Sequence, residues 1–397
     1  MKLHEKMLAL MEEVKGEVVE RDELVEAILI ALLAGKNLFV LGETGQAKSY
    51  AINRIRARIE GATQFERLMS KQTDEEQLFG RIDLPSLIAG RPRLVTSGKI
   101  PEAHICFLDE IFKSNDGVLN SLLTALNERR WTNEGEVVEI PTISFFSASN
   151  EIPNFNNPEE RILLPLYDRF DLKLVTEYVE LRENRIAMLK KKQCCIAVTA
   201  VQTITLDELV LMQAAVNDIL ISDEINQLWD DVLCALRNKG IHVSDRKFLS
   251  FSPIVQAKAW LEGRNEVQSQ DLMIMRHCLW TQPEQRNEIT ELLTRLCADP
   301  YQEKLADIHA MALEAQKEFE DAPDASDMEN LRRLGKLRNE LSKLTTAAEN
   351  SCPEHERERA LLQQFTSEME NINREASREA GRNYITLHDY IDAKMSS

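Results

Sequence analysis

The sequence predicts an α/β fold: a parallel sheet with helices on both faces, followed by all-helical regions. Three observations predict it. Residues 37–49, NLFVLGETGQAKS, read as a buried strand, a Gly-containing turn and a Lys-Ser pair that opens a helical run. Residues 104–110, HICFLDE, are an apolar run ending in two carboxylates, as a strand buried on both faces does. Strand and helix patterns then alternate along residues 1–185, the signature of a parallel sheet.

The first segment has the order strand, phosphate loop, helix. Gly42, Glu43, Thr44, Gly45, Gln46 and Ala47 supply the loop, and Lys48, Ser49 and Tyr50 begin the helix. Inward-turned backbone N–H groups and the positive end of the helix make an anion site that fits a polyphosphate. Lys48 reaches the β- and γ-phosphates, and the Ser49 hydroxyl takes one Mg²⁺ position. One position departs from the pattern G-x-x-x-x-G-K-[ST], which has Gly where this chain has Ala47. Alanine fits there only if φ stays negative.

The second segment supplies acid groups. Asp109 and Glu110 end an apolar strand, at the carboxyl edge where ligands bind in open α/β sheets. Asp109 is placed to hold Mg²⁺ through water and Glu110 to polarise the attacking water; Asp109 also reads as a helix N-cap. About 60 residues separate the pair from the phosphate loop, the length of two βα units. A third strand, TISFFSASN, ends at Asn150, which either orients water beside the γ-phosphate or serves as a turn residue in Asn-Glu-Ile-Pro. In LYDRFDLKL, Arg169 precedes a fourth apolar run. A planar, permanently charged guanidinium is what a phosphoryl-transfer site imports from a neighbour. Paired with Asp168 or Asp171, the same Arg is an ordinary surface residue.

These segments carry a family resemblance. The ordered set LAGKNLFVLGETGQAKS, LFGRIDLPSL, TSGKIPEAHICFLDEIFK, LLTALNERRW, SASNEIP, LYDRFDL and VSDRK, across about residues 15–285, resembles AAA+ ATPases of the MoxR family and most of all its RavA branch. The resemblance implies an AAA+ P-loop core with a five-stranded parallel sheet, ATP and Mg²⁺ as ligands, and a hexameric ring. It makes Lys48 and Ser49 the Walker A residues, Asp109 and Glu110 Walker B, and Asn150 sensor 1. Arg169 becomes the arginine finger, with Arg161 as the fallback, and Arg246 of VSDRK becomes sensor 2. One subunit is expected to supply Lys48, Glu110, Asn150 and Arg246, and its neighbour Arg169. Such ATPases commonly work with a protein carrying a von Willebrand factor A domain, and such a partner is implied here.

Three regions follow. Residues 1–185 form the ATPase core, with an insert at about 73–103 that in similar proteins faces a central pore. Within it, RLVTSGKI reads as a hairpin, and Arg91, Arg93 and Lys99 make the insert locally basic. Residues 186–285 form the lid region, beginning with a linker over 186–204. There Leu206, Leu209, Val210, Met212, Val216, Ile219 and Leu220 lie near one helical face, and Ser244 caps a helix whose first turn holds Arg246. Residues 286–397 form a helical extension. Leu334, Leu337, Leu341 and Leu344 follow a 3-4-3 spacing, as in a coiled-coil seam, and Leu361, Phe365, Met369 and Ile372 form a second stripe beyond a break at Pro353. Here the chain departs from RavA, which continues into a β-rich module.

Composition bounds the function. A formal net charge of −18 argues against nucleic acid as the main partner. The longest apolar stretch, 24–34, contains Glu26 and is too short to span a bilayer. The amphipathic, acidic N-terminus is not a signal peptide. Seven scattered Cys without a C-x-x-C read as reduced thiols of a cytoplasmic protein. The function expected is Mg²⁺-ATP hydrolysis that remodels or regulates a protein partner. The competing expectation is a nucleic-acid-associated or defence-related motor or scaffold gated by ATP.

Overall fold

A computed structural model describes residues 2–390 apart from 44, 47, 89, 91–93, 134–135, 180, 194–201, 298–299, 321–326 and 353–355. Five strands, β1 (Leu38–Leu41), β2 (Gln64–Leu68), β3 (Ile105–Asp109), β4 (Ser144–Ser149) and β5 (Leu172–Val175), form one parallel sheet in the order β5-β1-β4-β3-β2. The inner strands β3 and β4 are buried along their length, because helices cover both faces. Those helices include α1 (Leu3–Glu17), α2 (Asp22–Ala34), α3 (Lys48–Arg56) and α4 (Asp116–Glu128). Nearly every apolar residue of α2 is buried, so it is a central element. Helix α1 buries Met7, Leu10 and Val14, an i, i+3, i+7 stripe. Its Glu13 and Glu17 reach the fully buried Arg58 at the end of α3.

The helical lid continues the same compact unit. It comprises α5 (Arg182–Gln193), α6 (Leu206–Asn217), α7 (Asp223–Asn238), a short helix Asp245–Ser250, α8 (Ser252–Leu261) and α9 (Gln285–Cys297). Helices α6 and α8 pack on α2 of the core. The first compact unit ends at Cys297, and α9 buries Ile289, Leu292, Leu293 and Cys297 in its core. The expected linker is helical through Gln193, and Ile204–Thr205 pairs with Ile59–Glu60; residues 194–201, with Cys194 and Cys195, lie outside the described residues. Leu209, Met212, Val216 and Ile219 are buried as the pattern required, but Val210 and Leu220 face outward. Among the described cysteines, Cys106, Cys278 and Cys297 are buried and Cys234 is exposed on α7.

Two hairpins correct the sequence reading. Leu94–Val95 pairs with Arg81–Ile82 rather than within RLVTSGKI; Arg91 and Arg93 are outside the described residues. A second hairpin, Arg130–Asn133 with Glu136–Glu139, was not read, although Asn-Glu-Gly-Glu between short strand-like runs is its signal.

The second unit, residues 298–397, is described by itself. Helices α10 (Pro300–Glu320), α11 (Asp327–Asn350) and α12 (Glu356–Glu379) all touch one another. Both stripes meet in its core: Leu334, Leu337 and Leu341 with Phe365, Met369 and Ile372, joined by Leu305, Ile308 and Ala312 of α10. Pro353 and the side chain of Leu361 lie outside what is described. A buried Arg338 donates to Asn373 Oδ1 at 3.0 Å and to Ser377 Oγ at 2.9 Å, which pairs α11 to α12. Among the described residues of the chain, no helix is long and apolar enough to cross a membrane.

Candidate active site

Three strand ends converge at the carboxyl edge of the sheet. Gly42 N–H, just past β1, donates to Ser149 O of β4 at 3.1 Å, and Glu110 N–H, just past β3, donates to Ala148 O at 2.8 Å. These bonds bring the phosphate loop, the acidic pair and Asn150 together, as the sequence required. Thr44 and Ala47 lie outside the described residues, so the backbone at Ala47 stays an expectation.

The loop is packed from below. Thr176, after β5, donates its hydroxyl to Gln46 Oε1 at 2.8 Å, and Arg21, at the start of α2, donates to Gln46 O at 3.1 Å. A Cβ on Gly42 would collide with Thr176 Oγ1 and Gln46 Oε1, so only glycine fits. Gly45 has φ 88°, which glycine alone adopts without strain. Glu43 accepts from the Tyr178 hydroxyl at 2.7 Å.

Lys48 opens α3 with its ammonium almost enclosed. It donates to Gly42 O, to Glu43 O at 3.3 Å, to Ser149 O at 3.2 Å and to Asn150 Oδ1 at 2.9 Å. Burial holds its pKa below the ordinary lysine value, against the opposing pull of Glu110 and Asp109. Asn150 turns its amide to Glu110 Oε1 at 2.7 Å, and Ser149 Oγ donates to Glu110 Oε2 at 3.3 Å. Glu110 therefore ends a chain of polar contacts that starts at Lys48. Its backbone is left-handed, φ 53° and ψ 44°, a conformation that costs a non-glycine residue about 1–2 kcal/mol. The sequence carries no sign of that turn.

The donor set fits Mg²⁺. Ser49 presents a hydroxyl in the first turn of α3, and burial followed by the neighbouring Glu110 charge raises the Asp109 carboxyl above its ordinary range. Two adjacent, partly desolvated carboxylates are the environment that a hard dication relieves.

Two cavities adjoin the loop. One, about 500 Å³, runs from Gly42, Glu43 and Gln46 to Asn150 and Glu151. The other, about 490 Å³, has Val18, Val19, Tyr50, Val179, Met188 and Leu189 among its walls, with Arg21 and Arg185 beside them. Of these residues only Tyr50 was read from sequence, because the others belong to no motif and meet only through folding.

Arg169 and Arg246 stand elsewhere. Asn37, before β1, donates its amide to Arg169 O at 3.0 Å, and Leu172 N–H donates to Asn37 O at 3.1 Å. Arg169 is thus at the amino edge of the sheet, separated from the phosphate loop by the length of β1, about 13 Å at the usual strand rise. Burial and then the like charge of Arg246 lower the Arg169 pKa, and Lys247, next to Arg246, contacts Asp168, next to Arg169, at 2.5 Å, which sets both arginines on this side of the sheet. The sequence sets Arg246 over its own subunit's phosphates; in the structure its helix meets the side of the sheet that carries Arg169, through Lys247 and Asp168. Arg161 is exposed at the start of a short 3-10 turn.

Comparisons with known proteins agree with this architecture. Residues 5–214 match the family described as the MoxR domain in the MoxR-vWA-beta-propeller ternary systems, and residues 219–293 match an AAA lid domain. Two uncharacterized proteins of Methanocaldococcus jannaschii are 36% and 35% identical, each over 69% of this chain and over 70% and 71% of their own lengths. A structural protein of Acidianus two-tailed virus is 32% identical over 41% of this chain and 26% of its own. The crystal structure of a candidate ATPase from Cytophaga hutchinsonii shares the fold, with a TM-score of 0.59 over 74% of this chain and 94% of that one, at 17% identity.

Proposed function

Since this chain belongs to the MoxR family of AAA+ ATPases, we propose that it hydrolyses Mg²⁺-ATP at the interfaces of a ring, most simply a hexamer, and uses the motion on a protein partner. The observation that carries this reading is the division of the charged groups between two edges. Lys48, Asp109, Glu110 and Asn150 gather at one edge, while Arg169 and Arg246 stand together at the other. In a single subunit the pocket lacks Arg169 and Arg246, its Arg21 being held by the loop backbone at Gln46 O, and those two arginines stand away from the pocket. Each is completed by a second copy, so both guanidiniums act on the neighbour's nucleotide.

In this scheme the loop amides and the start of α3 hold the phosphates, and the cavity around Tyr50 takes the adenine. Ser49 and Asp109 would hold Mg²⁺, which would supply positive charge beside the phosphate oxygens. Glu110, aimed by Asn150, accepts the proton of the attacking water. The two arginines of the neighbour stabilise the charge that builds in the transition state.

The partner side rests on two features. Leu84 and Ile88 are exposed on the insert helix Leu84–Ile88, and the helix before it, Glu75–Phe79, stacks Phe79 on Trp131 at 5.3 Å; the exposed pair favours an apolar contact with a substrate in the pore. The matched family is described with von Willebrand factor A and β-propeller partners, which supports a partner of the first kind. Similarity to the RavA branch is a matter of the motif set alone, and the helical unit after Cys297 carries no strand among its described residues. The reading is tested by adding a co-encoded von Willebrand factor A protein, or DNA or RNA, to the purified chain. Stimulation of ATPase rate by nucleic acid and not by protein would favour the competing motor.

Loss of the Lys48 ammonium removes its charge from the bound ground state, so Lys48→Ala is expected to lose ATP binding. Calorimetry that finds affinity within a few-fold of the parent chain would remove the phosphate-loop assignment.

A further inference from the structure

The two interface arginines belong to different parts of the chain, Arg169 to the core and Arg246 to the lid, and like charge drives them apart. What holds them together is an ion pair between their immediate neighbours in sequence. Lys247 Nζ contacts Asp168 Oδ1 at 2.5 Å, with the lysine side chain 11% exposed. Burial works to raise the Asp168 carboxyl, but Lys247, with Lys173 and Arg246 behind it, holds it below the ordinary value. Asp168 is thus the anion that offsets a cluster of cations.

The joint is stiff on both sides. On the core side, Asn37 holds Arg169 O, and Asn37 Oδ1 in turn accepts from the half-buried Arg129 at 2.8 Å. On the lid side, Ser244 caps the helix that carries Arg246 and Lys247. Further bonds cross the same seam: Tyr167 OH to Thr281 O at 2.9 Å, Ser250 Oγ to Asp171 Oδ1 at 3.2 Å, and Lys173 Nζ to Trp280 O at 3.0 Å.

We infer that Lys247 is a positioning residue for the adjacent subunit's reaction: by closing on Asp168 it makes Arg246 and Arg169 one two-guanidinium unit that is presented across the interface. A transferring phosphoryl group spreads its charge over several oxygens, and two fixed guanidiniums meet it better than two that are placed independently. The inference rests on the in-trans reading proposed above.

Lys247→Met is expected to lower kcat by about 10- to 100-fold, the range that a misplacement near 1 Å costs, with KM for ATP changed less than about 2-fold. Lys247→Arg, which keeps the charge, recovers most of the rate. Asp168→Asn breaks the same pair from the core side and falls in the same class, which covers the case that Lys247→Met does not fold. Subunit mixing decides where Lys247 acts. Lys247→Met mixed with Lys48→Ala regains turnover, because one copy supplies the pocket and the other the arginines. Lys247→Met mixed with Arg169→Ala does not, because neither presents the unit. Recovery in that second mixture would overturn the inference, as would full turnover by both Lys247→Met and Asp168→Asn. A failure of Arg169→Ala to be rescued by Lys48→Ala would instead overturn the in-trans reading itself.

Discussion

Arg169→Ala turns over ATP about 10³- to 10⁵-fold more slowly than the parent chain, the usual worth of a guanidinium supplied from a neighbour, while its affinity for the nucleotide is unchanged. The geometry requires this separation of effects. Arg169 lies at the amino edge of the sheet, held through its carbonyl by Asn37, and its own phosphate loop is at the carboxyl edge. Removing the guanidinium leaves the Lys48, Asn150 and Glu110 contacts intact. Mixed with Lys48→Ala, the variant regains part of its rate, since each copy retains what the other lacks. In the parent chain the rate per subunit rises with protein concentration as interfaces form. A rate per subunit that stays flat down to concentrations at which sizing finds only monomers would refute catalysis in trans. If Arg169→Ala is active and Arg161→Ala is dead, the interface survives and the finger is Arg161.

Glu110→Gln binds Mg²⁺-ATP and hydrolyses it about 10²- to 10⁴-fold more slowly, the range associated with loss of a general base. The change suits this site because the amide oxygen of Gln still accepts from Asn150, which donates to Glu110 Oε1 at 2.7 Å. Removing the charge also lifts one of the three influences that raise the Asp109 carboxyl, the largest being burial and the smallest Glu66, so the metal position is not weakened. The expected product is an assembled, ATP-loaded ring that does not turn over. Normal turnover, measured as phosphate release, would sink the role of Glu110 in activating water.

Much of this arrangement was legible in the sequence because it rests on short-range signals. A phosphate loop is one turn of chain, and an acidic pair at a strand end needs only that strand, so Gly42 to Ser49 and Asp109–Glu110 were placed by pattern. The parallel sheet followed from continuous apolar runs, and the C-terminal helices from leucine spacing. What escaped depends on long-range packing. Lys173 sits in an apolar strand and is fully buried, with its pKa well below the ordinary value, first because of burial; only the fold supplies its acceptor on Trp280. The location of Arg246 escaped for the same reason. Its cap and helical turn were read correctly, but which edge of the sheet the helix meets is set by contacts such as Lys247 with Asp168, some 80 residues apart in sequence.

The carbonyl cage around Lys48 gives the nucleotide a rival. The ammonium has partners within the chain in Gly42 O, Ser149 O and Asn150 Oδ1, and a hydrogen bond from a charged donor is worth about 1.5–3 kcal/mol. The chain is its own competing ligand. A phosphate that draws the ammonium to itself must displace these contacts. The same swap acts as a reporter, because each time Lys48 leaves Asn150 the amide that aims Glu110 loses one of its two partners. An NMR probe on the Lys48 ammonium should therefore shift on ADP binding and return when ADP is removed; an identical signal in both states would mean that the cage does not open.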